Sequence, residues 1–216
     1  MSLKTHWEKV YSSKAPEQVG WYEPHLQTSL AMINRPNVSR DAKIIDVGGG
    51  ASTLVDDLLH SGFKNITVID VALSALEQAR LRLGERAALV RWLDEDVTRV
   101  ALPANYYDIR HDRAVFHFLT EIEPRKRYVS QLWRALKPGG HLMIATFAAE
   151  APPKCSGLNV FRYSVEQMQS ELGTDWILHE HQKELHLTPG GVEQMYLYCR
   201  SCASSSAHVI FVYGSA

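Results

Sequence analysis

The chain has 216 residues, 45% of them hydrophobic and 22% charged, which suits one substantial globular α/β core and excludes a disordered chain. A formal net charge of -1 excludes a broad electrostatic pull toward nucleic acid or an anionic membrane. Three cysteines, an N-terminus without the apolar run of an export signal, and no window near the ~20 apolar residues of a membrane span give a cytoplasmic protein as the expectation.

Residues 1–40 read as a helical cap. Trp7, Val10 and Tyr11 share one helix face, a second helix is expected over 25–33, and the segment 16–24 between them carries Trp21 and Tyr22. Strand–helix alternation starts at residue 43. A buried-strand pattern over 43–47 ends in three glycines, and Leu54, Val55, Leu58 and Leu59 then give a helix stopped by Gly62. The second strand is expected over 66–70. Ser74 with Glu77 predicts a capping box for the next helix, which ends near Gly84.

Third and fourth strands follow over 88–92 and 107–111. Pro124 is expected at the first position of a helix, continued by Tyr128, Val129, Leu132, Trp133 and Leu136. Lys137-Pro138-Gly139-Gly140 should stop it and turn into a fifth strand over 141–147. Ser164 can cap a helix over 165–172, and strands over 175–182 and 193–199 form a final pair joined by a loop with Thr188-Pro189-Gly190-Gly191. The tail 201–216, with its apolar run 209–213, reads as an extra strand or an extension, leaving 41–200 as the main domain. Five helix-separated strands imply right-handed crossovers and a doubly wound sheet, whose ligands bind at the carboxyl ends of the strands.

The sharpest chemical signal is Asp46-Val47-Gly48-Gly49-Gly50-Ala51-Ser52, between a strand and a helix. Glycines let a ligand approach the backbone, and the helix start supplies free N–H donors. Twenty residues after Gly50, Asp70 ends the second strand, where a carboxylate can accept both hydroxyl protons of a ribose. The dinucleotide fingerprint G-x-G-x-x-G fails at Thr53, and the Gly-Lys-Ser/Thr ending of a phosphate loop is missing. An acid two positions before the first glycine suits a cationic amino-acid group better than a pyrophosphate.

These residues resemble class I S-adenosylmethionine-dependent methyltransferases over about residues 40–200. Asp46 to Ser52 is similar to the family's D/E-x-G-x-G-x-G motif, with Ser52 in place of the last glycine. Asp70 with Val71 resembles the ribose-binding end of the second strand, Asp96-Val97 the acid–apolar pair that contacts adenine, and Leu136-Lys137-Pro138-Gly139-Gly140 the turn before the fifth strand. The resemblance implies a Rossmann-like seven-stranded sheet in the order 3-2-1-4-5-7-6 with the last strand antiparallel. It also implies S-adenosylmethionine as cofactor, held by Asp46, Gly48, Gly49, Gly50, Asp70, Val71, Asp96, Val97, His111 and Trp21, with S-adenosylhomocysteine as product. A narrower resemblance joins Trp7-Glu8-Lys9-Val10-Tyr11 and Gly20-Trp21-Tyr22-Glu23-Pro24 to methyltransferase-like proteins that include citrate synthase lysine methyltransferase. Asp112-Arg113-Ala114 resembles an element which that group shares with thiopurine methyltransferases. These elements leave the acceptor open between a small molecule and a protein lysine.

Methyl transfer to a nucleophile needs alignment and exclusion of water more than acid–base chemistry. Trp21, Tyr22 and Tyr11 are candidates for an aromatic lid, since aromatic faces attract a sulfonium cation. His111 and Asp112 are the catalytic candidates after the fourth strand, and Tyr22, Arg113, His117 and His186 are the acceptor-side candidates. His179, His181 and His186 lack the carboxylate or cysteine that would complete a metal site, so no metal is expected. The competing readings are a nicotinamide-dependent oxidoreductase on a similar sheet and a non-catalytic cofactor-binding module. The oligomeric state is open.

Overall fold

The structure, a computed structural model, describes residues 2–204. The apolar run 209–213 lies outside them.

The cap consists of α1 (Leu3–Ser13), a 3-10 turn (Pro16–Gln18) and α2 (Gln27–Asn34). Then follow β1 (Lys43–Val47), α3 (Leu54–His60), β2 (Asn65–Asp70), α4 (Leu73–Leu83), β3 (Val90–Asp94) and β4 (Tyr107–Arg113). The chain continues through α5 (Ile122–Ala135), β5 (Leu136–Phe147), α6 (Val165–Leu172), β6 (Trp176–Leu187) and β7 (Glu193–Ala203). The seven strands form one sheet in the order β3-β2-β1-β4-β5-β7-β6. β1 to β5 are parallel, and β7 runs antiparallel to both its neighbours. This is the expected Rossmann-like sheet.

Helices cover both faces, so the central strands are apolar on both sides rather than alternating. Ile44, Val68, Ile109 and Met143 share one core with Ile33 of α2, Leu54 and Leu58 of α3 and Leu76 of α4. Ile45, Val47, Tyr107 and Ile144 share the other with Tyr128 and Leu132 of α5 and Met168 of α6.

Several local expectations change. Ser74 and Glu77 do not cap α4. Instead Leu73 N donates to Glu8 Oε1 at 2.6 Å and Ser74 N to Glu8 Oε2 at 3.3 Å, so α1 supplies the cap from outside the helix. Pro124 is the third residue of α5, still inside the first turn, where a missing N–H breaks no helical bond. The expected turn at 137–140 lies inside β5 as an irregularity. Asn105 N and Tyr106 N bond the last carbonyls of α5, at Arg134 and Ala135, which brings Leu136 into register with Tyr107 before the glycines. β4 runs two residues further than expected, and β7 continues to Ala203, beyond the expected boundary at 200. Ser164 caps α6 as expected, by accepting from Gln167 N.

Candidate active site

The glycine run sits at the carboxyl end of β1, at the centre of the sheet. Gly48 has φ +65° and donates its N–H to Ile69 O at 2.7 Å, which ties the loop to β2. A Cβ there would come within 2.0 Å of Val115 Cγ2, and one on Gly50 within 2.6 Å of Asp70 Oδ2. Only glycine fits between these neighbours.

Asp70 closes the other side of the loop. Its Oδ2 accepts Gly50 N at 3.1 Å and its Oδ1 accepts Ala72 N at 2.9 Å. Burial pushes its pKa up to about 6, against the pull of those two N–H donors. Asp46 is buried as well. His111 Nδ1 donates to its Oδ1 at 2.7 Å, while its Oδ2 has no partner. A buried carboxylate oxygen without a donor is expensive, and it suits a positively charged or N–H-bearing ligand.

A cavity of about 570 Å³ opens beside this loop. Asp70, Val71, Asp96 and Val97 line it from the β2 and β3 ends, and Arg113, Ala114, Val115 and Phe118 from the β4 end. The strand order places those two groups on opposite sides of Gly48. The same cavity is covered by Leu3, Lys4, Trp7 and Tyr11 of α1, and by Trp21. Trp7 stands 5.3 Å from Trp21 and 5.0 Å from Phe118, ring centre to ring centre, and Tyr11 stands 5.8 Å from Trp21. A smaller recess of about 30 Å³ is lined by Tyr22, Glu23, Asp46, Gly49 and His111, and shares Trp21, Val47, Gly48 and Arg113 with the larger one. Tyr11 and Trp21 thus reach the main cavity, whereas Tyr22 reaches only the recess. Trp7, not named among the lid candidates, and Phe118, not singled out in the sequence at all, join them. Helical spacing placed Trp7 on the face of Tyr11, and the Trp7-to-Tyr11 element carried the narrower resemblance.

The β4 candidates separate by face, because successive strand residues point to opposite sides. His111 faces α2 and is held at both ends, with Nε2 2.9 Å from Ser29 Oγ. Asp112 faces α5 and lines neither cavity. It accepts Tyr128 OH at 2.6 Å, Val115 N at 3.1 Å and Phe116 N at 3.4 Å. The expectation that Asp112 meets the acceptor is corrected: it holds the turn after β4. Its carboxyl titrates above the usual carboxylate range because of that burial.

His117 is corrected in the same way. It is fully buried, accepts Phe147 N at Nδ1 (3.1 Å) and lines no cavity. His186 also lies away from both cavities. Its Nε2 donates to Gly20 O at 2.7 Å, and its Nδ1 faces Glu23 Oε1 at 2.5 Å. The Gly20 carbonyl can only accept, so Nε2 carries a proton. The histidine thereby clamps the segment that carries Trp21 and Tyr22 onto the end of β6.

Arg113 lines the main cavity. Its Nε donates to Tyr198 OH at 2.9 Å and its Nη1 to Trp21 O at 2.9 Å, and the guanidinium lies 4.4 Å over the Tyr196 ring. Among the described residues no group of three or more His, Cys, Asp or Glu side chains is placed to hold a metal, and no helix is long and apolar enough to cross a membrane.

Comparison with known proteins agrees with this geometry. The family described as "Methyltransferase domain" matches residues 45–144, the stretch from β1 into β5. The chain is 24% identical over 160 residues to EEF1A lysine methyltransferase 2 of Homo sapiens, covering 68% of each protein. It is 24% identical over 149 residues to the eEF1A lysine and N-terminal methyltransferase of Mus musculus, covering 66% of this chain but only 21% of that longer protein. Among solved structures, the 1,6-didemethyltoxoflavin-N1-methyltransferase of Burkholderia thailandensis, determined with bound S-adenosylhomocysteine, superposes with a TM-score of 0.66 at 16% identity, over 93% of this chain and 84% of that one. That superposition establishes the shared fold alone. The family match covers the strands and loop that build the cavity, and the antiparallel β7 separates this sheet from a nicotinamide-binding one. The matched domain, the curated relatives and the fold together support a class I S-adenosylmethionine-dependent methyltransferase.

Proposed function

We propose that this enzyme methylates a small organic acceptor held beneath α1. In this reading Asp70 accepts the ribose hydroxyls, and Val71, Asp96 and Val97 flank the adenine. Gly48, Gly49 and Gly50 let the backbone approach the amino-acid part, and Asp46, aligned by His111, draws its ammonium group. The cofactor supplies a methyl group made electrophilic by the positive sulfur. The protein's own work is alignment and the exclusion of water, done by Trp7, Tyr11, Trp21 and Phe118.

The observation that carries this reading is the single cavity running from Asp96 to Arg113 under α1. The test is calorimetric titration with S-adenosylhomocysteine, followed by a transfer assay on small acceptors. Binding by the wild type that Asp70→Ala weakens at least about tenfold supports it. Absence of binding sinks it.

A protein-lysine acceptor is the second reading, favoured by the names of the two relatives above. Methylation of lysine peptides, with no small acceptor turned over, would establish that reading instead.

A further inference from the structure

Arg113 is a buried cation with one nitrogen unused. The residue is only 9% exposed, yet it borders both cavities. Tyr198 and Trp21 take Nε and Nη1, and the Tyr196 ring takes one face, so the planar fork is fixed. Nη2 is buried without a hydrogen-bond partner. Glu23, the carboxylate that contributes to its field, is already engaged by His186. A fixed guanidinium edge of this kind, in an aromatic wall, is complementary to an oxyanion.

The cavity lining around it points the same way. From the cap, β4, the turn after it and the segment after β5 come Trp7, Tyr11, Trp21, Val115, Phe118 and Cys155, with Lys4 and Arg113 as cations and no histidine or carboxylate among them. The lining acids Asp70, Asp94, Glu95 and Asp96 all belong to the β2 and β3 ends. Burial pushes the Cys155 thiol up to about 12 and raises Tyr11 well above its ordinary range, so neither takes up a proton near neutral pH. An acceptor that had to lose a proton during the reaction would find no base on this wall of the cavity, because the carboxylates stand on the opposite one. One that arrives as an anion needs none: its lone pair forms the bond to the methyl carbon, and the electron pair of the broken carbon–sulfur bond stays on sulfur. A protonated amine, in contrast, would meet a like charge at Arg113.

Resting on the methyl-transfer reading above, we propose that the acceptor is a small organic anion whose negative charge seats against Nη2 of Arg113.

The test uses the intact chain saturated with S-adenosylhomocysteine, and three probes of one shape: benzoate, benzyl alcohol and benzylamine. Benzoate is expected to raise the melting temperature, and the other two to leave it unchanged. Arg113→Gln should weaken benzoate binding by on the order of tenfold to a hundredfold, with Arg113→Lys between it and the wild type. Affinity for S-adenosylhomocysteine should stay within about threefold in both variants, which also reports that they fold.

A larger shift with benzylamine, or none with benzoate on the wild type, overturns the proposal without any variant. A second overturning result tells a different source of the anion. If Arg113→Gln loses S-adenosylhomocysteine but keeps 5′-methylthioadenosine, which lacks the amino-acid part, then Nη2 holds the cofactor's own carboxylate. Failure of the wild type to bind S-adenosylhomocysteine at all would instead mark the failure of the methyl-transfer reading, and this proposal would fall with it.

Discussion

His111 and Asp46 are register partners on adjacent parallel strands, and their side chains meet at 2.7 Å in a fully buried pair. Ser29 of α2 completes the row at 2.9 Å from the other ring nitrogen. The histidine therefore fixes the carboxylate that precedes the glycine loop and ties the cap to it. His111→Phe would leave Asp46 with two unpartnered buried oxygens. We expect it to lower unfolding free energy by about 2–4 kcal/mol and to weaken S-adenosylhomocysteine binding about tenfold. His111→Asn, which keeps a donor, should recover part of both. Urea denaturation and calorimetry check this. A variant that loses turnover while keeping stability and cofactor affinity would argue for proton transfer by His111 instead.

Asp70 gives the site a pH dependence. Its carboxyl is raised to about 6 in the folded protein, against roughly 3.9 in an unfolded chain. Between those values the folded state holds a proton that the unfolded state releases, so this group's contribution to stability falls as pH rises through the window. Ligand binding runs the opposite way, because hydroxyl donors need the ionised carboxylate. Affinity for S-adenosylhomocysteine should fall by up to about tenfold per pH unit below about 6 and level off above it. Asp70→Asn should bind more weakly and show a flatter profile between pH 5 and 8. An identical profile in the variant would remove Asp70 from the ligand's partners.

The parts of this site that the sequence makes legible are local ones. Asp46, the three glycines and Asp70 lie on one strand–loop–helix–strand unit, where spacing alone sets their geometry. His111, Asp112 and Arg113 were legible as a cluster but not as individuals. β4 is buried on both faces, so no polar–apolar alternation shows which residue points toward α2 and which toward α5. The full length of β4 decides it, and two of its residues lay beyond the strand the pattern gave. Trp7 and Glu8 act through contacts that cross the chain: Glu8 bonds Leu73, 65 residues away. Such contacts leave no periodic trace in a single sequence.

That Glu8 contact makes its own prediction. One carboxylate accepts two of the free N–H groups at the start of α4, so α1 is fastened over the cavity by a helix cap. Glu8→Ala should cost about 1–2 kcal/mol of stability. It should also speed hydrogen exchange in residues 3–13 and weaken ligands that contact Trp7. Glu8→Gln, which retains acceptor oxygen, should show about half the effect. If exchange in α1 is unchanged in Glu8→Ala, the cap does not hold the cavity's cover in place.

His117 predicts acid sensitivity of the fold rather than of the chemistry. Its ring stands edge-on to Phe118 and Phe147, and burial, aided by Arg113, lowers its pKa to about 3. An unfolded histidine titrates near 6.5, so the unfolded chain binds this proton first as pH falls. The histidine's contribution is complete above about 6.5 and is lost progressively toward 3, at up to about 1.4 kcal/mol per pH unit. His117→Asn keeps an oxygen to accept Phe147 N but cannot ionise. Urea midpoints measured at pH 7.5 and pH 5 should therefore drop less in the variant than in the wild type. Other groups titrate over the same range, and the difference between the two proteins isolates this one. Equal drops would mean that His117 takes up its proton without unfolding the protein. The added proton would then sit on Nδ1 and displace the hydrogen bond that this atom accepts from Phe147 N.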